Sequence, residues 1–409
     1  MKANALAKML DELGHVSDEE GRLTRTFLSP AMRRANGLVG GWMREAGLAV
    51  REDAVGNLIG RAEGAKVGAK TLLLGSHLDS VRDAGRFDGP LGVLLPIVAL
   101  TELRRRGVAL PFAVEVVGFS EEEGVRFASA YLGSEGYTGR LKAKTLRLRD
   151  GAGVSVGDAL KEWGGGKFSL PKAAHRRGEL LGYVEVHIEQ GPVLEAKQLA
   201  VGVVSAIAGQ SRFKVTWTGQ AGHAGTTPMG LRRDALSGAA EFALAVEKRA
   251  RRAAGLVGTV GALTVSPGAA NVIPGQVVHT LDVRHASDAK RRAALIELGK
   301  VAARIAQQRG LSVVWQRTQD NGAVDCSPAL TAQLECSVNA VQGQSVSLVS
   351  GAGHDGVVMS ALTPVAMLFV RCRGGLSHHP DEDASAADLE IALRVMVDFL
   401  RRMAHQHAS

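Results

Sequence analysis

Strand-like and helix-like segments alternate through the first 210 residues of this 409-residue chain. Residues 71–74 form a short apolar run, residues 91–106 are typical of a helix, and residues 112–117 are typical of the next strand. This rhythm predicts an α/β fold in which helices cover both faces of a mostly parallel sheet. Ligands of such sheets collect at the carboxyl ends of the strands, so polar residues there are the first candidates for a site.

The pattern changes near residue 210. Candidate elements follow in the order strand, helix, strand, strand, helix, strand, at residues 212–218, 231–253, 259–265, 276–284, 287–310 and 313–317. This order predicts an inserted α+β sandwich at 210–324. The sheet domain is then discontinuous and consists of residues 1–209 and 325–409.

Five segments place imidazoles or carboxylates at or just after a predicted strand end: TLLLGSHLDSV, GRFDGPLGV, VVGFSEEEG, YVEVHIEQG and GGLSHHPDE. They supply His77, Asp88, Glu122, Glu123, His187 and His378. Each residue alone also fits an ordinary explanation, such as a helix cap, a solvated turn or a partly buried histidine. Together they form a ligand set for two divalent metals with a general base, and they predict a metallohydrolase.

Two local patterns strengthen this prediction. Asp79 follows His77 by two residues, and residues two apart in an extended chain point the same way. Asp79 can therefore accept the second imidazole N–H and orient His77 on a metal. The three adjacent acids at 121–123 repel one another unless cations or water offset their charges.

Composition limits which partners and which cellular location we expect for this chain. The net charge is +8 and aromatics are 4% of residues, with basic clusters at 104–106 and 248–252. No aromatic residues or nucleic-acid module accompany these clusters, so we interpret them as solvated helix faces and expect no nucleic-acid partner. The three cysteines form no CxxC pair, which indicates reduced thiols and a cytoplasmic location. The longest apolar stretch is too short to span a membrane.

The segments resemble the hydantoinase/carbamoylase-type dinuclear amidohydrolases. This family includes allantoate amidohydrolases and N-carbamoyl-L-amino acid hydrolases, and it belongs to a clan with aminoacylases and carboxypeptidase G-like peptidases. The resemblance runs from about residue 15 to residue 400. Beyond the five segments it includes, in family order, GNLIGR, AGHAGTTPM, ANVIPG, LDVR and SGAGHD.

The resemblance implies specific metal ligands. His77 and His187 would hold one ion, Glu123 and His378 the other, and Asp88 would bridge both. Glu122 would be the general base, although a shift of one residue within 121–123 would exchange these roles. His378 fits better than its neighbour because it directly follows Ser377. Two divalent ions per chain are expected, zinc or manganese first, with cobalt and nickel also compatible.

The resemblance also implies substrate contacts and a partner chain. His223 would reach the active site of the neighbouring subunit of a homodimer, formed through the inserted lid domain, and polarise the substrate carbonyl there. The expected substrate-binding residues are Gln190, Arg212, Asn271, Arg284, Gly353 and His354. A guanidinium fork suits a carboxylate, which agrees with the two arginines in this set.

The function implied is hydrolysis of a terminal ureido group on a small carboxylate. LFVRCRGGLSHHP is more similar to allantoate amidohydrolases, so we favour allantoate over an N-carbamoyl-L-amino acid. The alternatives are an aminoacylase or dipeptidase, or a non-catalytic regulatory or nucleic-acid-binding protein on this scaffold. Pro90, Gly356 and Val357 depart from the family pattern near the site and bear on substrate fit.

Overall fold

The computed structural model describes residues 2–66 and 68–407. The chain folds into two compact units. The first comprises Met1–Ser205 and Cys326–Ser409, and the second comprises Ala206–Asp325.

The helices among the described residues are α1 to α11: Lys2–Gly14, Pro30–Glu45, Pro90–Arg105, Leu132–Tyr137, Val156–Trp163, Val193–Ala196, Ala235–Arg251, Asp288–Arg309, Pro328–Gln342, Gly356–Met359 and Ala386–Gln406. Short 3₁₀ turns cover Thr145–Arg147, Met229–Leu231 and Arg373–Gly375. The strands are β1 to β16: Ala49–Glu52, Leu58–Ala62, Thr71–His77, Ala113–Phe119, Leu180–Ile188, Val201–Ile207, Gly209–Thr218, Gly222–His223, Val257–Thr259, Leu263–Ser266, Val272–Ile273, Gln276–His285, Ser312–Asn321, Val324–Asp325, Ser347–Ser350 and Val365–Val370.

The first unit is built on one sheet in the order β1-β2-β4-β3-β5-β16-β6, with β15 also beside β6. The four central strands β4, β3, β5 and β16 are mutually parallel, while the outer pairs are antiparallel. Every residue of β3, β4 and β16 is buried, as expected for strands covered on both faces. The mostly parallel sheet predicted from the sequence is confirmed.

Strand β5 carries a polar face inside this sheet. Glu185 and His187 lie on it and are 0% and 1% exposed. A buried polar group needs a partner, so this face is not a solvated surface but part of an internal polar cluster.

The second unit is a five-stranded antiparallel sheet in the order β10-β12-β7-β13, with β9 also beside β12. Helices α7 and α8 pack against it around Trp217, Phe242 and Leu281. The helix predicted at 287–310 is confirmed: the Ser287 side chain accepts from the Lys290 amide, and Gly310 ends the helix at φ 64°.

The prediction of one strand at 259–265 was wrong. β9 pairs with residues 282–284 of β12, and β10 pairs with residues 276–279. Between them the Thr280 amide still donates to the Ala262 carbonyl at 3.0 Å, but the Ala262 amide donates to the Thr280 hydroxyl at 2.9 Å, so only half of the backbone pairing is kept there. Within the described residues, no helix combines the length and apolarity needed to cross a membrane.

Candidate active site

The carboxyl ends of the parallel strands bring the five sequence segments together. β3 ends at His77, and β4 ends two residues before the acidic run. His187 is the next-to-last residue of β5, and the chain after β16 leads to His378. Because parallel neighbours end at the same edge of a sheet, side chains from distant parts of the sequence converge there.

Asp88 lies at the centre of this convergence. Its Oδ1 is 3.1 Å from Nε2 of His187 and 3.5 Å from Nε2 of His77. Its Oδ2 is 3.3 Å from Nε2 of His378, which is itself 3.5 Å from Oε1 of Glu123. The two oxygens of one carboxylate therefore face two separate sets of donor atoms.

The orientation of two imidazoles is fixed from behind. Nδ1 of His77 lies 3.0 Å from the Asp79 carbonyl oxygen, and Nδ1 of His187 lies 2.9 Å from the Ile188 carbonyl oxygen. A carbonyl only accepts, so each Nδ1 carries a proton, and Nε2 is the ring nitrogen that faces Asp88.

The acidic run separates into different positions. The Asp79 carboxylate accepts from the amides of Glu122 at 3.0 Å and Glu123 at 3.1 Å. Glu121 turns away and accepts from the Gly124 amide. Glu122 and Glu123 instead each offer an oxygen within 4.8 Å of a His77 nitrogen.

Gly89 lets the chain approach His77 closely. A Cβ built on it would lie 2.5 Å from ring atoms of His77, and its φ is 84°. Both facts require glycine at this position, because an L side chain would collide with the ring and rarely adopts this φ.

Burial and charge perturb the acids and imidazoles strongly. Burial, with the nearby Asp88 charge, raises the pKa of Glu123 to about 7, and burial also raises the pKa of Glu122 well above its usual range. The hydrogen bond between His378 and Asp88 raises the pKa of His378 to about 9. Burial alone would raise the pKa of Asp88, but His187 and the other imidazoles hold it well below its usual range. Without a cation, these groups must share protons that a bound cation would displace.

The donor set fits divalent metal ions. Histidine nitrogens and carboxylate oxygens bind such ions at about 2.0–2.2 Å, which places ligand atoms of one ion about 3–3.5 Å apart. The measured separations of 3.1–3.5 Å around Asp88 lie in that range. Two combinations meet at Asp88, one with His77 and His187 and one with Glu123 and His378.

Three of the predicted substrate residues lie in the first unit. Nε2 of Gln190 donates to Oδ2 of Asp88 at 2.8 Å. Gly353 adjoins Glu122, since a Cβ built on it would lie 3.8 Å from that residue's Oε1. His354 is buried, with its ring centroid 4.6 Å from that of His187 and its Nε2 2.7 Å from the Ser350 hydroxyl.

The other three predicted substrate residues and His223 lie in the second unit, in two pairs. His223 on β8 pairs with β11, and the Ala224 amide donates to the Asn271 carbonyl at 2.9 Å. The His223 side chain is exposed, and its Nδ1 accepts from the Gly225 amide. Nε2 takes no part in that hydrogen bond.

The second pair is joined by an acid. Asp282 accepts from Nε of Arg284 at 3.0 Å and from Nε of Arg212 at 2.8 Å. Nη1 of Arg212 also donates to Oε1 of Gln319 at 3.1 Å, and the two arginines sit on the neighbouring strands β7 and β12.

Known proteins resemble the chain over nearly its whole length. Residues 73–402 match the model of peptidase family M20/M25/M40. The chain belongs to peptidase family M20/M25/M40. It is 42% identical to allantoate deiminase 2 of Glycine max, covering 98% of this chain and 90% of that one. It is 41% identical to the N-carbamoyl-L-amino acid amidohydrolase of Geobacillus stearothermophilus, covering 97% of each.

A solved structure places this M20 chain within a narrower group. An amidase of the hydantoinase/carbamoylase family from Burkholderia multivorans superposes with a TM-score of 0.93, at 33% identity and 98% coverage of both chains. The resemblance to hydantoinase/carbamoylase-type amidohydrolases and the prediction of a hydrolase are confirmed. The family is metal-dependent, and the cluster around Asp88 is the candidate metal site of this member.

Sequence reasoning missed two residues of this M20 site. The Tyr131 side chain reaches Gly353, where a Cβ would lie 1.9 Å from the phenol oxygen, and its φ of 69° is unusual for an aromatic residue. Glu382 accepts from the amide of Asp88 at 3.0 Å. Nothing in the local sequence marked the tyrosine, while the glutamate stood in the SHHPDE segment without a distinguishing signal.

Proposed function

We propose that this chain is a dinuclear amidohydrolase that removes the terminal ureido group of a small carboxylate, with allantoate favoured over an N-carbamoyl-L-amino acid. The observation that carries the proposal is the position of Asp88, whose two oxygens face separate donor sets 3.1–3.5 Å away. The substrate class is supported by two relatives, an allantoate deiminase that is 42% identical to this chain and an N-carbamoyl-L-amino acid amidohydrolase that is 41% identical.

In this proposal, His77, His187 and Asp88 hold one ion, and Asp88, Glu123 and His378 hold the other. Bound there, divalent ions acidify water and polarise a carbonyl oxygen. Either zinc or manganese suits this nitrogen and oxygen donor set, and cobalt or nickel is compatible.

Glu122 is the proton carrier of the mechanism. It takes a proton from water, whose oxygen attacks the ureido carbon, and the bond from that carbon to the terminal nitrogen then breaks. Glu122 returns the proton to the departing nitrogen, which leaves as ammonia. The remaining carbamic acid loses carbon dioxide and gives the amine. The high pKa that burial gives Glu122 suits a group that must accept a proton and then donate it.

Residues of the inserted lid domain complete the proposed site. Arg212, Arg284 and Asn271 would hold the substrate carboxylate, with Gln190, Gly353 and His354 forming the wall beside Glu122. The partner subunit's His223 would stabilise the oxyanion in a homodimer, since its ring is exposed and its Nε2 is not used by the Gly225 amide. A cytoplasmic location agrees with three cysteines that form no disulfide.

A substrate panel tests the proposal. The purified protein, loaded with zinc or manganese, is assayed for ammonia with allantoate and N-carbamoyl-L-amino acids, and for amine release with N-acyl amino acids and dipeptides. We expect the ureido acids to react fastest and the metal content to be two ions per chain.

Two outcomes would favour the alternatives. A higher kcat/KM for the acyl amino acids or dipeptides would indicate an aminoacylase or dipeptidase. No bound metal and no turnover of any substrate would indicate a non-catalytic protein. A Glu122→Gln variant, prepared in parallel, controls for contaminating activity.

A further inference from the structure

Glu382 is a buried carboxylate that joins two distant loops of the site. It is 3% exposed. Its Oε1 accepts from the amides of Phe87 at 2.9 Å and Asp88 at 3.0 Å. Its Oε2 lies 3.1 Å from the hydroxyl of Ser377. One side chain thus contacts both the loop that carries Asp88 and the loop that carries His378.

A second set of contacts closes the connection through Ser377. Its hydroxyl lies 2.7 Å from Oδ2 of Asp88, and Nε2 of Gln190 lies 3.1 Å from the same hydroxyl. Asp88 is therefore restrained at its backbone amide by Glu382 and at its Oδ2 by Ser377 and Gln190. Neither restraint involves the oxygen that faces His77 and His187.

The opposing loop has space for Glu382 only because residue 85 is glycine. A Cβ built on Gly85 would lie 2.3 Å from the Glu382 Cβ and 2.4 Å from its Oε1. Gly85 has no positive φ, so the requirement is for space and not for an unusual backbone conformation. The two residues are fitted to each other across a long sequence separation.

Keeping an acid at this position is costly. A carboxylate that is 3% exposed has lost most of its hydration, which is unfavourable unless its oxygens accept hydrogen bonds. An apolar side chain could fill the same volume without that cost, but it would leave two amides without acceptors. The hydrogen bonds from the Phe87 and Asp88 amides therefore account for a glutamate at this position.

We propose that Glu382 is a positioning residue, which clamps the Asp88 loop to the His378 loop and so holds both oxygens of Asp88 toward their donor sets. The inference rests on the proposed function in one respect, namely that Asp88 is a metal ligand. It adds a residue and a role that the ligand set alone does not contain.

Hydrogen exchange of the metal-free, full-length protein tests the clamp directly. Glu382→Ala removes the acceptor, and Gly85→Ala displaces it without altering Glu382. Both variants should exchange the amides of Phe87 and Asp88 about tenfold faster or more than the wild type. Asp381→Ala is the matched control, because that side chain is 78% exposed and its nearest partner is His379 at 3.7 Å.

Metal affinity is the second measurement. Loss of an outer contact to a ligand typically costs 10- to 100-fold in affinity, so we expect zinc to bind about that much more weakly to both variants. The double variant should be no worse than the single variants, since both changes break the same contacts. Glu382→Gln retains an oxygen for the two amides and should restore their protection.

Unchanged exchange in both Glu382→Ala and Gly85→Ala would overturn the clamp. If Glu382→Ala does not fold, Gly85→Ala decides in the same way. A wild type that binds none of zinc, manganese, cobalt or nickel would defeat the proposed function, while the exchange comparison would still decide the clamp. Conversely, two bound ions with unaltered exchange would leave the function standing and remove Glu382 from its positioning role.

Discussion

Nδ1 of His77 lies 3.0 Å from the carbonyl oxygen of Asp79 and 3.3 Å from its Oδ1. The same carboxylate accepts the amides of Glu122 and Glu123. Asp79 therefore connects the end of β3 to the acidic run after β4, and it orients a histidine while fixing the backbone of two acids.

Replacing Asp79 should weaken metal binding without removing a ligand. We expect Asp79→Ala to lower zinc affinity about 10- to 100-fold, because ring orientation and the acidic loop both lose their support. Competition with a chromophoric chelator measures this change. Asp79→Asn keeps one oxygen acceptor, so its zinc affinity should lie between those of the wild type and Asp79→Ala. A wild-type zinc affinity in Asp79→Ala would show that the connection made by Asp79 is dispensable.

Glu122 and Glu123 should differ in role, the first as general base and the second as metal ligand. Glu122→Gln should retain its full metal content and lose about 10²- to 10⁴-fold in kcat, since it removes a proton carrier. Glu123→Gln should lose one ion. Elemental analysis and steady-state kinetics on both variants measure these effects, and the opposite pattern would shift the assignment by one residue.

The sequence predicted the residue types at the strand ends because those residues are local to recognisable strands. It could not separate the three adjacent acids, since their roles depend on the direction in which the turn rotates each side chain. The structure turns Glu121 toward the Gly124 amide and leaves the other two beside His77. That choice follows from Asp79, whose carboxylate fixes the turn through two amides.

Long-range contacts were beyond sequence reasoning for another reason. Asp88 and Glu382 are 294 residues apart, and no periodicity links them. Arg25 is similar: it is fully buried behind the site and donates to the Leu78 carbonyl, although a lone arginine in a loop is usually interpreted as exposed. Such residues are recognised only once the strand order has brought their loops together.

The pair formed by Arg284 and Asp282 should govern recognition of the substrate carboxylate. Arg284→Ala should reduce kcat/KM for substrates with a free carboxylate about 10- to 100-fold, and reduce it much less for their amides. Arg284→Lys keeps the charge but loses the fork that Asp282 holds, so it should recover only part of the loss. Equal losses for acid and amide substrates would assign Arg284 another role.

A buried acid distant from the metal ligands should make stability depend on pH. Burial would raise the pKa of Glu115, but hydrogen bonds and charge from His175, with Tyr137 and Arg61, lower it to about 2. The depressed folded-state pKa means that the stabilisation is complete above about pH 4.5 and is lost as the pH falls toward 2.

The size of that effect can be estimated and measured. A shift of this size corresponds to about 3 kcal/mol of unfolding free energy. Urea unfolding of the metal-free protein between pH 6 and pH 3 should show a steeper decline for the wild type than for Glu115→Gln, which has no titrating group there. Parallel curves would show that the network around Glu115 contributes no pH-dependent stability.

The exposed ring of His223, set beside Asn271 by the β8–β11 ladder, should act in the partner's site of the proposed homodimer. His223→Ala and Glu122→Gln proteins should each be inactive alone. After subunit exchange, one site of each mixed dimer receives Glu122 from one chain and His223 from the other. About half of the dimers are mixed and one of their two sites is intact, so about a quarter of wild-type activity should return. Native mass spectrometry verifies the exchange, and a mixture that has exchanged but stays inactive would place His223 in its own chain's site or outside catalysis.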